Sequence, residues 1–233
     1  MFFTPPLIQG TLIRRYKRFL ADIELENGQV VVAHCANTGS MTGLAEPGMQ
    51  VRLSIANNPK RKLGYTWEMS FANSTWVGIN TGLTNRLVSE ALEAKIIPQL
   101  TKYVNIRREV AFGKETRLDF LLTDNNDSRC YVEVKSVTLQ RCDHLAFPDA
   151  VTKRGTRHLQ ALMDVVACGD RAVLFFLAQR SDGAYFKPAG DIDPTYAKKL
   201  KEAIQSGVEV MAWQCRVEKD NITVNSQLSM ELM

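Results

Sequence analysis

The stretch Leu118–Ser136, "LDFLLTDNNDSRCYVEVKS", decides the fold. Two apolar runs flank a turn rich in Asp, Asn and Ser, the composition that reverses a chain between paired strands. Three charged side chains, Asp119, Glu133 and Lys135, are set into those runs. Strand side chains alternate between faces, so Glu133 and Lys135 emerge together, and pairing of the two runs as a hairpin brings Asp119 beside Glu133. Two carboxylates that close repel, and one stays protonated unless a cation intervenes. A divalent, oxygen-seeking ion such as Mg²⁺ or Mn²⁺ resolves the conflict, with Asp119, Glu133 and the Val134 carbonyl as ligands and Lys135 beside a bound water. That is equipment for phosphodiester hydrolysis. A solvent-facing ion pair on an edge strand is the plainer alternative, although a charge on a mostly buried strand is costly unless it is used.

Upstream, "TNRLVSEALEAKIIPQL" (84–100) carries Leu87, Val88, Ala91 and Leu92 on one helical stripe behind Thr84 or Asn85 as N-cap. Glu90 on that helix is a candidate further carboxylate for the metal, or simply a solvated helix glutamate. Strands are expected at about 105–111, 117–123 and 130–138, and a helix over about 152–168 that ends at Gly169. The continuous apolar run "AVLFFLA" (172–178) reads as a central strand covered on both faces. Asp193 and Pro194 open a third helix that ends at Gly207, "VEVMAWQC" is the last core strand, and the tail after Asp220 gives no signal. The order describes an α/β (α+β) domain with a mixed sheet and helices on both sides.

The first third differs. Residues 10–79 hold five or six short strands with an Asn27-Gly28 hairpin turn and no helical period, which suits a small closed barrel of the OB type, a small sandwich being the competing shape. The boundary falls near Gly82, giving domains of 1–82 and 83–233. Cations concentrate in the first of these: eight basic residues against five acidic, +3 of the chain's +4. Arg14, Arg15, Lys17 and Arg18 crowd the first strand with Tyr16 and Phe19, the mixture that holds phosphates and bases on an OB barrel, or that keeps an edge strand soluble. Lys60, Arg61 and Lys62 fill the turn "NNPKRK" as phosphate contacts or a solvated turn. Asn37 and Thr38 open "NTGSMTG", whose short side chains let backbone amides approach a phosphate, or which serves as an ordinary barrel loop. Near the second helix start, Arg154 and Arg157 are candidates for positioning a phosphate, with His158 near the active water.

Composition sets limits. With 233 residues, 45% of them hydrophobic, the chain supports a real core. Five scattered cysteines without a CxxC pair argue for reduced, buried or half-buried thiols rather than a disulfide framework or zinc site. The N-terminus lacks signal-peptide character and no apolar run reaches about 18 residues, so a cytoplasmic protein with no membrane partner is expected. Pairing as a homodimer is left open.

"LDF…CYVEVKSVTL" after an acidic helix resembles the PD-(D/E)xK nuclease-like superfamily, although Leu118 stands where the motif's proline would be. Over nearly its whole length the chain is similar to the sugar fermentation stimulation protein A (SfsA) family, through "LIRRYKRFLAD", "HCANTGSMTGL", "NNPKRK", "NTGLTNRLVSEAL", "RLDF", "CYVEVKSVTL", "FPDAVTKRGTRHL" and "RAVLFF". The resemblance implies an N-terminal OB-like barrel and a C-terminal restriction-endonuclease-like domain. It also implies binding to double-stranded DNA with little sequence preference, and a regulatory part in sugar (maltose) metabolism. Whether the Mg²⁺ centre, with Asp119, Glu133, Lys135, Glu90 and His158, cleaves DNA or RNA is left open by it.

Overall fold

Six strands fill residues 8–78: β1 (Ile8–Tyr16), β2 (Leu20–Leu25), β3 (Val30–Cys35), β4 (Gln50–Ile55), β5 (Tyr65–Ala72) and β6 (Thr75–Gly78). The computed structural model describes residues 1–56, 58, 60–113 and 116–232. The strands pair in the order β3-β2-β1-β4-β5-β6, and a parallel pairing of β3 on β5 closes the first five into a barrel. Period-two alternation buries Leu12, Ile23, Val31, Ala33, Leu53 and Trp67 inside. The closed barrel excludes the sandwich.

The expected first strand needs correction. "LIRRYKRFLADIELE" is a tight hairpin: Lys17 and Arg18 sit in its turn at φ +48° and +64°, so they are not on β1 with Arg14 and Arg15. No Asn or Gly marks this reversal; pairing of the flanking strands imposes it. At the turn that glycine did mark, Gly28 has φ +81°.

The second domain comprises α1 (Thr84–Glu93), β7 (Asn105–Phe112), β8 (Thr116–Thr123), β9 (Arg129–Val137), β10 (Leu139–Arg141), β11 (His144–Phe147), α2 (Lys153–Ala167) and β12 (Arg171–Ala178). It continues through β13 (Tyr185–Pro188), α3 (Pro194–Gln205), β14 (Glu209–Glu218), β15 (Asn221–Gln227) and β16 (Ser229–Met230). Its main sheet runs β15-β14-β12-β9-β8-β7, with β12 parallel to both neighbours and the other pairs antiparallel. α1 covers one face through Leu87, Val88 and Ala91 packed with Phe120, Val132 and Phe175. α2 and α3 cover the other through Leu159, Leu162 and Leu200 with Leu174 and Phe176. The central strand β12 is buried from Ala172 to Ala178. Thr152 Oγ1 caps the Gly155 N–H of α2 and Asp193 Oδ1 the Tyr196 N–H of α3.

Three features lie outside the sequence reading. A small sheet, β10-β11-β13-β16, stands beside the main one. The tail after Asp220 forms β15, an edge strand. Met1 and Leu7 belong to the core under α1, which also takes in Met69 of β5, and Phe2 bridges to Asn221, so the first residues sit against the second domain where it meets the barrel. Cys35, Cys130 and Cys215 are buried, whereas Cys142 and Cys168 are exposed, contrary to the expectation of buried or half-buried thiols throughout. No helix among the described residues is long and apolar enough to cross a membrane.

Candidate metal centre and nucleic-acid interface

Where β8 approaches Asp119 its pairing fails on both sides. The ladder to β9 ends at Phe120↔Val132, and the ladder to β7 skips Glu109, which has φ +52°, between Arg108↔Phe120 and Val110↔Leu118. Freed from the ladder, Asp119 turns into the gap between β8 and β9. Its Oδ2 accepts from the Val134 N–H at 2.7 Å and its Oδ1 from Asn85 Nδ2 at 2.7 Å. The N–H and C=O of one extended residue face the same neighbour, so the Val134 carbonyl opens toward the same gap.

Glu133 and Lys135 share the face of β9 that looks toward α2. Lys135 Nζ and His158 Nδ1 both meet Glu133 Oε1, and Arg154 Nε donates to His158 Nε2 at 3.2 Å. A guanidinium only donates, so Nε2 must accept and the ring proton sits on Nδ1, given to Glu133. Lys135 Nζ lies 3.4 Å from the same Nδ1, which is proximity rather than a bond, since both atoms carry protons. The other carboxylate oxygen, Glu133 Oε2, is buried with no partner.

The two carboxylates differ electrically. Burial, then the charge of Glu133, pushes Asp119 up to about 6. Burial also pushes Glu133 up, but the His158 hydrogen bond and the Lys135 charge outweigh it and hold Glu133 below its ordinary value. Glu133 is thus firmly ionised beside an Asp119 whose charge is poorly compensated. An orphaned buried oxygen next to such a carboxylate fits a divalent cation. Among the described residues no group of three or more His, Cys, Asp or Glu side chains gathers for a metal, so the protein offers two carboxylates, a backbone carbonyl and room for water. The cavity here, about 280 Å³, is lined by Asp119, Glu133, Lys135, Asn85, Thr81 and Ser136.

Glu90 does not reach this centre. Its carboxylate pairs with the Met1 amino group at 2.9 Å and with Arg86 at 3.0 Å, because the helix docks with Asn85, not Glu90, toward β8. His158 does, but as a donor to Glu133. Arg154 and Arg157, exposed on α2, line a second cavity of about 580 Å³ with Arg117, and Arg154 also lines the first. A third, of about 290 Å³, adjoins on the other side through Thr81 and Ser136 and is walled partly by the barrel's Arg18, Asn37 and Thr38.

The barrel cations divide. Arg15 donates to the carbonyls of Arg18, Asn37 and Gly39, each at 2.9 Å, and Arg18, itself exposed, clamps the Thr38 carbonyl, so both hold the 37–40 loop. Arg14 pairs with Asp22 at 2.7 Å and lies over the Tyr16 ring. Asn37 is buried, its Oδ1 accepting from the Gly39 N–H at 2.8 Å, while Thr38 is exposed at the third cavity. Lys17, Lys60, Arg61 and Lys62 are exposed and line none of these three cavities; Asn57 and Pro59 of the same basic turn lie outside the described residues. Sequence reasoning missed Asn85, Arg117 and Ser136. Only Arg117, two residues before Asp119, carried a signal, the period of two.

Two family models match in series: "SfsA N-terminal OB domain" over residues 13–79 and "Sugar fermentation stimulation protein RE domain" over residues 82–221. A sugar fermentation stimulation protein homolog of Geotalea uraniireducens is 51% identical over 227 residues, covering 97% of this chain and 98% of that one. One of Nitrosococcus oceani is 52% identical over 235 residues and covers both chains completely, at 100% each. Among solved structures, that of Pyrococcus furiosus SfsA in complex with Ca²⁺ superposes with a TM-score of 0.91 at 28% identity, over 99% of this chain and 98% of that one. With its OB barrel, its restriction-endonuclease-like domain and relatives that match end to end, the chain belongs to the sugar fermentation stimulation protein family.

Proposed function

We propose that this protein binds double-stranded DNA with little sequence preference and holds it across a centre equipped for metal-dependent phosphodiester chemistry. The observation that carries the reading is the orphaned Glu133 Oε2 beside Asp119 and Lys135, flanked by the Arg117, Arg154 and Arg157 cavity. Arginines placed this way hold backbone phosphates without reading bases. Asp119, Glu133 and the Val134 carbonyl would hold Mg²⁺ or Mn²⁺; that the Pyrococcus furiosus protein forms a complex with Ca²⁺ supports a divalent-ion site here. Such an ion supplies charge stabilisation at the phosphate and acidifies a bound water. Lys135 would bring a positive charge to such a centre, where its Nζ meets Glu133 Oε1, and His158, backed by Arg154, fixes the Glu133 carboxylate.

Anisotropy titration of a duplex with the purified protein in Ca²⁺ tests the reading. Binding should weaken steeply between about 50 and 200 mM salt, as phosphate-driven binding does; no binding at the lower salt overturns it. An active nuclease is the second reading, favoured by the intact Asp119, Glu133 and Lys135 set. Plasmid, single-stranded and branched substrates with Mg²⁺ or Mn²⁺, and Lys135→Ala as control, decide it. Cleavage lost in the variant supports an enzyme, and no cleavage of any substrate leaves a protein that only binds.

A further inference from the structure

The cavity on the far side of the centre from the arginines differs from them in chemistry. Its lining carries one cation and one described anion, Arg18 and Asp149, and the Arg18 guanidinium is occupied by the Thr38 carbonyl at 2.9 and 2.6 Å. With one charge of each sign the lining has no net charge, and two of the Arg18 N–H donors are already engaged, so the cavity offers a phosphate little of what the arginine-lined one does. What the walls offer is hydrogen-bonding groups, at Thr38, Ser136 and Thr138, together with the apolar surfaces of Phe147, Pro148 and Ala150. Ser136 Oγ is buried and has no partner. Neutral polar edges beside apolar faces are what a nucleobase requires and a phosphate does not.

The cavity is built rigidly from two domains. The 37–40 loop is tied down by Arg15 and Arg18 from the barrel and by Asp149 from the second domain, whose Oδ2 accepts from the Ser40 N–H at 3.0 Å. The fit is close enough that a Cβ on Gly39 would stand 2.3 Å from that Asp149 oxygen. On the rim, Val151 is 69% exposed, an apolar side chain held in solvent where a base pair would approach. Apolar rim residues serve as wedges that unstack bases.

From this arrangement we infer that the junction cavity receives the base of an unpaired nucleotide whose phosphate lies at the cation that Asp119 and Glu133 would hold, so that the preferred substrate is DNA carrying an unpaired nucleotide. This rests on the DNA-binding reading above, and deepens it by naming the substrate class. One strand then runs through three places in order: backbone phosphate at Arg117, Arg154 and Arg157, phosphate at the carboxylate centre, base at Thr38, Ser136 and Thr138.

The test compares a fully paired duplex with the same duplex bearing one unpaired 2-aminopurine, titrated against the full chain in Ca²⁺. The unpaired substrate should bind about tenfold tighter, the increment that one well-held base supplies, and 2-aminopurine emission should change on binding. Ala150→Phe, a substitution at an exposed wall position, should abolish the preference and leave paired-duplex affinity as it was. Thr138→Val removes a hydroxyl from a wall that the carboxylate centre does not share, and should reduce the preference without changing paired-duplex affinity. Equal affinity for the two duplexes with unchanged emission overturns the base pocket and leaves the DNA-binding reading standing. No binding to either overturns both. A preference that survives in both variants overturns the cavity assignment.

Discussion

His158 Nδ1 is hydrogen-bonded to Glu133 Oε1, so a side chain of α2 fixes the orientation of a carboxylate on the sheet beneath it. Arg154 completes the relay by donating to Nε2, which leaves the Nδ1 proton for Glu133 Oε1, while Oε2 stays buried without a partner. His158→Ala should therefore weaken Mn²⁺ binding by about 10- to 100-fold, the usual loss when a group that orients a ligand is removed. Asn at this position places an amide N–H near where Nδ1–H was, and should recover part of that loss. Calorimetric titration of the wild type and the two variants measures this.

Asp119 makes stability depend on pH in an unusual direction for a carboxylate. Its folded-state value, about 6, lies above the ordinary 3.8, so the fold favours the protonated acid. That contribution is fully present below about pH 4 and is lost as pH rises through 6, to a limit of ~3 kcal/mol. Asp119→Asn should accordingly be more stable than wild type at pH 7.5 by about 1–3 kcal/mol, with the difference closing near pH 4. Adding Ca²⁺ at pH 7.5 should raise the wild-type melting temperature and leave that of the variant unmoved. Denaturant and thermal melts at the two pH values check both statements.

A basic cluster in sequence contains residues of opposite use. Arg15 is spent on three carbonyls of the barrel, and Lys17 has an exposed side chain. Arg15→Met should cost ~1–3 kcal/mol of stability, because three carbonyls, two of them part-buried, lose a charged donor. Lys17→Ala should cost less than about 0.5 kcal/mol. Urea unfolding of the two variants separates the clamp from the surface charge.

Phosphate contact by Arg117 and Arg157 is read from the slope of affinity against salt. Each substitution to Ala should weaken duplex binding on every sequence alike and reduce the magnitude of the log–log slope by about 0.9. The same substitution in Arg61 tests whether the exposed barrel turn also touches DNA; an unchanged slope there would remove that turn from the phosphate contacts.

How much of this was legible depended on the range of the interaction. Period two placed Glu133 and Lys135 on one face, and a continuous apolar run identified β12 as central, because both follow from the geometry of a single strand. Asp193 and Pro194 announced α3 through capping chemistry within one helical turn. Glu90 misled because its direction depends on the rotation at which α1 docks, which Met1, 89 residues earlier in the chain, helps to fix. Arg15 and Arg18 misled because composition counts cations and cannot say that carbonyls some 20 residues further on consume them. Asn85 and Ser136 were silent, being ordinary polar residues whose importance comes only from the carboxylates and cavities that tertiary packing brings to them.

The junction between barrel and second domain is the last relationship that makes a prediction. Gln179, buried at the end of β12, accepts from the Gly78 N–H with its backbone carbonyl at 2.7 Å and donates from Nε2 to Asn80 O and Thr84 Oγ1, both at 3.1 Å. Asn80 in turn donates to Glu68, a buried carboxylate of the barrel that also accepts from Ser54. A Cβ at Gly78 would lie 2.8 Å from Gln179 Oε1 and 2.9 Å from its Cβ, so the two domains touch with no room for a methyl group. With the junction close-packed at Gly78 and hydrogen-bonded, the two domains should unfold in one transition, seen identically by Trp fluorescence and by circular dichroism. Gln179→Ala leaves the Asn80 carbonyl and the Thr84 hydroxyl without their donor and should cost ~2–3 kcal/mol. Gly78→Ala forces the domains apart and should split the transition in two. If both variants still melt in a single step at the wild-type midpoint, the junction is not what couples the barrel to the site.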